Sequence, residues 1–419
     1  MASMIDTLPL EVIEHIIDIL ASDDRRDNQY RSTYMKACSL TCWTFFSRSR
    51  ENLFHSIKLH DRYRKSNSSC ALVHVFAQLI VERPQIASYV RRLDYVMKNA
   101  SLGNITPVPS QLERVTNLEV LVLQPELGRF QWQGIHSVSR RVLLRLMHLP
   151  TITTLKLISI QSFVLSDIIL CQNLKNLHLQ RVVIGEETRG SDVSPQLQGS
   201  PVIQLRKLEL SHSSIQGAQQ IIRQKRADGR PIVDLSELKD LCVFIANLED
   251  ALSAGELFSY IRCLETARLI VPETYHAADL DIVLSTSLNT LVNLTVDIFN
   301  NLADAQPLRG LNHALKGMAG RNHIEVLRLR IQVFGEVTCE VGDDWGLLER
   351  VLLAPGWSSL KQVYLSIFTT REDTWPQDNL KKIAETQLLG LSSSKSLAFN
   401  FFVGEGNQLT SSMSVFSPS

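Results

Sequence analysis

The sequence predicts an α/β repeat protein: a small all-α unit at the N-terminus, then an irregular solenoid of strand-and-helix units. Three observations predict this. A three-anchor apolar pattern ending in two-residue alternation returns nine times from Leu118 onward. Helical runs lie between its copies. The first 60 residues have a different texture, helical and without that pattern.

The opening helix is read from "LPLEVIEHIIDIL", residues 8–20. Pro9 suits a first helical turn, where its missing N–H costs nothing. Glu11 adds negative charge at the positive end of the helix dipole. At about 100° per residue, Leu10, Val12, Ile13, Ile16, Ile17, Ile19 and Leu20 spread over half the cylinder, with Glu11, Glu14, His15 and Asp18 on most of the rest. A surface helix needs an apolar arc of only about 100°. The excess has two readings. Either the helix lies between two parts of its own domain, or one side meets its domain and the other a partner protein.

A polar stretch, "ASDDRRDNQYRS", separates this helix from a second helical run, "TYMKACSLTCWTFFSRSR", and the short "ENLFHSIKL" follows. The basic, Ser/Asn-rich "DRYRKSNSS" then reads as a loop or linker. The expected boundaries are 5–60 for the helical unit, 61–85 for a linker and connecting helix, 86–403 for the solenoid and 404–419 for a disordered tail.

Within the solenoid the anchors run Leu118, Leu121, Leu123; Ile152, Leu155, Leu157; Leu174, Leu177, Leu179; Leu205, Leu208, Leu210; Leu238, Leu241, Val243; Leu264, Ala267, Leu269; Leu291, Leu294, Val296; Ile324, Leu327, Leu329; and Leu360, Val363, Leu365. Val90, Leu93 and Tyr95 fit loosely, and "SLAFNFF" reads as a closing strand. First anchors are 22 to 36 residues apart, room for a strand, a turn and a helix. The terminal alternation marks a strand with one buried face. Runs such as "SRRVLLRLMHL", "GAQQIIRQKR", "ADLDIVLSTSL" and "DDWGLLERVLL" supply helices. This is the signature of an irregular leucine-rich-repeat-like solenoid; the alternative is a series of ordinary βα units in a doubly wound sheet. The Asn or Cys usual after such a strand is mostly missing, since "QRVVI" follows "LKNLHL" and "SHSSI" follows "LRKLEL".

Composition bounds function. The 43 basic and 43 acidic residues cancel, so no global field draws the chain to nucleic acid or anionic membrane. No run of 18 apolar residues is present, so no membrane span is expected. The start lacks the basic segment of a secretory signal, and seven scattered cysteines read as free thiols. These features predict a reduced, intracellular protein, cytoplasmic and/or nuclear, whose sequons carry no glycan.

No catalytic constellation is legible, and neither a metal nor a cofactor is expected. Cys38 and Cys42 are four apart, but no second pair follows at finger-like spacing. "DDWG" reads as a helix start, and "GEGNQ" lacks the context of a phosphate cradle. The short basic clusters read as solvated surface. Trp132 in "GRFQWQG" is either a loop aromatic available to a substrate or a packing residue. Arg328 and Arg330, two apart, would project from one strand face.

The first 60 residues resemble the F-box domain. The resemblance rests on Leu8, Pro9 and Glu11 opening an apolar helix, on "ACSLTCWTFF" with Leu40, Cys42, Trp43, Phe45 and Phe46, and on "NLFHSIKL" with Leu53, Phe54 and Ile57. The polar stretch between the first two helices is longer than the family's. The resemblance implies docking on the Skp-type adaptor of a cullin–RING ubiquitin ligase, through Leu8, Pro9, Val12, Ile13, Ile16, Leu40 and Trp43. The repeats would then hold a protein substrate. The rival expectation is a repeat scaffold that delivers nothing to a ligase.

Overall fold

The computed structural model describes residues 9–22, 28–41, 43–60, 72–97, 108–185, 201–226, 228–272, 280–300, 308–333, 344–369, 381–383 and 385–405. The chain divides into two compact units, residues 1–174 with 185–201, and residues 175–184 with 202–419.

The first unit opens with helices α1 (Leu10–Ser22), α2 (Asn28–Cys38) and α3 (Trp43–His55). Ile13, Ile17 and Met35 form their core, with Cys38, Phe45 and Leu53 packed against it. The spacing of Ile13 and Ile17 stacks both side chains on one helix face. A polar clasp closes the side: Arg48 donates to both carboxylate oxygens of Asp18, at 2.9 and 2.6 Å, and Asn52 adds a bond of 3.0 Å. The Arg48 hydrogen bonds hold the Asp18 carboxyl below its usual range. Because both groups are about a third exposed, screening limits the clasp to about 1 kcal/mol. We expect Arg48→Met to lower hydrogen-exchange protection of the α1 amides by up to about tenfold; unchanged protection would remove the clasp from the account.

The chain passes from α3 into β1 (Ser56–His60) with no linker. β1, the last segment of the expected helical unit, pairs in parallel with β2 (Arg92–Met97) as the first strand of the sheet. Helices α4 (Leu72–Glu82) and α5 (Gln85–Tyr89) occupy the stretch expected as a linker and connecting helix. α4 buries Val73, Phe76, Ala77 and Ile80, so it belongs to the folded layer. The proposed loop at 61–69 lies outside the described residues. Strand β3 (Val120–Pro125), the short β4 (Phe130–Gln131), α6 (Ser137–Met147), β5 (Thr154–Ile158) and the short β6 (Ile160–Gln161) complete the unit. β2, β3 and β5 are parallel neighbours, aligned Leu93–Leu121–Leu155 and Tyr95–Leu123–Leu157.

In the second unit the long strands are β7 (Asn176–Gln180), β9 (Lys207–Ser211), β11 (Asp240–Phe244), β12 (Thr266–Val271), β13 (Asn293–Asn300), β14 (Val326–Val333), β15 (Gln362–Thr369) and β16 (Ala398–Glu405). β8 (Ile203–Gln204) and β10 (Val233–Asp234) form a separate pair. The long strands run parallel in chain order. One register carries the second and third predicted anchors and extends into the closing strand: Leu177, Leu208, Leu241, Ala267, Leu294, Leu327, Val363 and Phe399 share a row, and Leu179, Leu210, Val243, Leu269, Val296, Leu329, Leu365 and Phe401 the next. The sheet is continuous and parallel, as expected for a repeat fold. β16 includes Gly404 and Glu405, the first residues of the predicted tail; residues 406–419 lie outside the described residues.

The two variable residues between first and second anchors have a backbone role. The Arg206 carbonyl accepts from the N–H groups of Lys239 and Asp240, and the same shared bond recurs at Lys239, Glu265, Val292 and Glu325. Each repeat start is thereby tied to the next. Helices α7 (Ala218–Arg223), α8 (Leu248–Ser259), α9 (Leu280–Leu284), α10 (Arg309–Met318), α11 (Asp344–Leu352) and α12 (Leu389–Ser393) intervene. α10 buries Leu311, Leu315 and Met318, one stripe at helical spacing. Gly356 permits a close approach: a Cβ there would lie 2.6 Å from the Ala319 Cβ, while the Gly356 carbonyl accepts from the Gly320 N–H at 2.7 Å.

The missing asparagines have replacements. Ser159, Arg181 and His212, each directly after a strand, adopt left-handed φ of 53°, 54° and 56°. The buried Ser214 hydroxyl accepts from the Val182 N–H at 2.8 Å, supplying the acceptor that an asparagine ladder would provide.

Candidate partner-binding face of the N-terminal helices

The α1 backbone starts where proline allows, with the Pro9 carbonyl accepting from the N–H groups of Val12 and Ile13 at 3.1 and 3.3 Å. From there the helix has two apolar arcs. Ile13 and Ile17 point into the three-helix core. Val12, Ile16 and Ile19 are 42, 41 and 56% exposed and lie four and three residues apart, within about 60° of one another on the helix. The core arc is centred roughly 110° away. Leu10 is also exposed at the helix start.

The structure sorts the predicted contact residues. Val12 and Ile16 are on the open stripe, and Pro9 is exposed. Leu40 is the most exposed large apolar residue described, at 86%. It sits in the turn that ends α2, fixed by Leu40 N–H to Ala37 carbonyl (3.1 Å) and by Thr41 Oγ1 to Cys38 carbonyl (2.7 Å). Ile13 is a correction: at 5% exposure its side chain belongs to the core with Ile17 and Met35 and is not open to a partner. Leu8 and the side chain of Trp43 lie outside the described residues. Ile19, which was not among the predicted contact residues, shares the open stripe, as its spacing from Val12 and Ile16 allows.

The second unit offers a different surface. The sheet face opposite the anchors carries His178, whose Nδ1 lies 2.7 Å from Glu209 Oε2, and Arg268, which donates Nε–H to Asp297 Oδ2. Trp132, in the first unit, is not a surface aromatic. It is fully buried, donates Nε1–H to Asp167 Oδ2 at 2.6 Å and packs on Phe163. The substrate-contact reading of Trp132 is therefore withdrawn.

Burial pushes the Cys171 and Cys242 thiols up to about 12, which keeps both protonated and poorly nucleophilic at neutral pH. Cys38 is half-buried against the helical core. Asp344 lies in the first turn of α11, as a helix start requires. No group of three or more His, Cys, Asp or Glu among the described residues could hold a metal ion. No described helix is long and apolar enough to cross a membrane.

No family model and no curated protein matches the chain. Among solved structures, an internalin from Listeria monocytogenes is similar at 14% identity and a TM-score of 0.22, over 79% of this chain and 94% of that one.

Proposed function

We propose that this chain is a non-enzymatic adaptor. It grips one protein through the open stripe of α1 and holds a second on the polar face of its parallel sheet. The carrying observation is the pair of apolar arcs on α1, one spent on the chain's own core and one left in water. Exposed apolar side chains at contiguous helical spacing mark an interaction site, and an apolar stripe laid into a groove is a recurrent recognition mode. The resemblance of residues 5–60 to the F-box domain supports a Skp-type adaptor, and through it a cullin–RING ubiquitin ligase, as the first partner. The second partner is then a protein substrate held at high effective concentration near the ubiquitin-carrying enzyme. The same resemblance supports an intracellular setting.

The test is binding of the full chain to a purified Skp-type adaptor. Val12, Ile16 and Ile19 are about half exposed, so completing their burial supplies roughly 2–4 kcal/mol before ordering costs, and an Asp at each position adds the cost of desolvating a charge. The Val12→Asp/Ile16→Asp/Ile19→Asp variant should therefore weaken binding by at least about 100-fold while keeping its circular dichroism. A wild-type chain that does not bind, or a variant that binds equally well, overturns the proposal. Adaptor binding without cullin association or ubiquitin transfer favours the scaffold reading.

A further inference from the structure

The sheet face opposite the anchors is unevenly charged toward its C-terminal strands. The register sets Arg268 of β12, Thr295 of β13, Arg328 of β14 and Tyr364 of β15 in one row, and Asp297, Arg330 and Ser366 in the next. Two guanidinium groups, Arg268 and Arg330, thus flank the Asp297 carboxylate, and Arg328 stands in the neighbouring row. Asp297 is 1% exposed. Its Oδ2 accepts from Arg268, while Oδ1 accepts no hydrogen bond and lies 4.0 Å from Arg330 Nη1. The Arg328 guanidinium sits 5.0 Å from the centroid of the Tyr364 ring, a contact that fixes its plane and leaves edge N–H groups free.

We propose that this patch binds an extended acidic segment of a partner protein, with Arg328 and Arg330 each receiving a carboxylate. The inference deepens the substrate-holding half of the reading above and rests on that half alone. Residues two apart on a strand are separated by roughly 6.6 Å, so Arg328 and Arg330 repeat at the spacing of alternate side chains in an extended ligand. Arginine forks match carboxylates in planar, two-bond geometry. Asp297 anchors Arg268, so Arg268 is a positioning residue and the other two carry the binding. A single charge at each of two points suits this arrangement better than one phosphoryl dianion, which would concentrate repulsion against the buried Asp297.

The experiment titrates the full chain against a fluorescein-labelled twelve-residue peptide of alternating Glu and Thr, followed by anisotropy. The same peptide with Gln or with phosphoserine in place of Glu provides comparison arms. Arg328→Gln/Arg330→Gln is compared with Lys395→Glu, an exposed position where one substitution changes net charge by the same amount. We expect saturable, salt-sensitive binding of the Glu peptide, at least tenfold weaker in the double variant, near wild type in K395E, and absent for the Gln peptide. Equal binding by wild type and the double variant overturns the proposal. So does equal loss in K395E, which would indicate only a diffuse field, or binding confined to the phosphoserine peptide. Circular dichroism and the thermal midpoint of the double variant confirm that the side chains, not the fold, were removed. The α1 variants should leave peptide affinity unchanged, and the double variant should leave Skp-type adaptor binding unchanged. Failure of one proposal is thereby separated from failure of the other.

Discussion

Truncation of Leu329 to alanine should lower the stability of the second unit by about 3–5 kcal/mol, the upper part of the range for a buried leucine whose surroundings cannot collapse. Leu329 is fully buried in the middle of β14 and faces Val296 of β13 and Leu365 of β15 in register. Both neighbouring backbones are held by parallel ladders, so the cavity has little room to relax. In a repeat stack, stability is distributed among repeats and nearest-neighbour interfaces. The loss should therefore be largest in hydrogen-exchange protection of β13, β14 and β15, and smaller in β7 and β9. Denaturant unfolding combined with residue-resolved exchange measures both quantities. A total loss below 1 kcal/mol would mean that this row is not the core of the sheet.

The same row explains how much of the fold was legible. The anchors could be read because two requirements coincide in them: alternation within a strand and repetition between strands. The register then aligned those same residues, from Leu177 through Phe401. What could not be read depended on contacts distant in the chain. The apolar excess on α1 was visible, but Ile13 and Val12 are adjacent and chemically alike. Only the position of Met35, 22 residues later, decides which arc turns inward. The pairing of β1 with β2 was hidden for a local reason. β1 offers only Ile57 and Leu59 as alternating apolar residues, too short a pattern to separate from the helix before it. Trp132 was placed by Asp167, 35 residues away, which sequence spacing gave no means to foresee. Arg328 and Arg330 were expected on one face from period two. The meeting of Arg330 with Arg268 at Asp297 required the register of three strands.

Stability should also depend on pH through His212. His212 directly follows β9 in a left-handed conformation, with its ring 4.6 Å from that of Phe244. Burial, aided by the neighbouring Arg181 charge, lowers its pKa to about 4. An unfolded histidine titrates near 6.5, so between these values the unfolded chain binds more protons than the folded one. Stability therefore rises with pH across this interval. The contribution is complete above about pH 6.5, is lost as pH falls toward 4, and changes no further below that. At about 1.4 kcal/mol per pKa unit, the full swing is at most about 3 kcal/mol, and solvent screening of the partly exposed ring brings it to about 2 kcal/mol. Urea midpoints taken between pH 7.5 and 4 would show it as a steady decline. His212→Asn tests the cause, because asparagine tolerates the left-handed backbone but carries no titrating group. It should flatten the decline between pH 6.5 and 4 while leaving any loss from carboxylates at lower pH. Parallel declines in wild type and variant would show that the imidazole is not held neutral against Phe244. The acid sensitivity of the unit would then have to arise from its carboxylates alone.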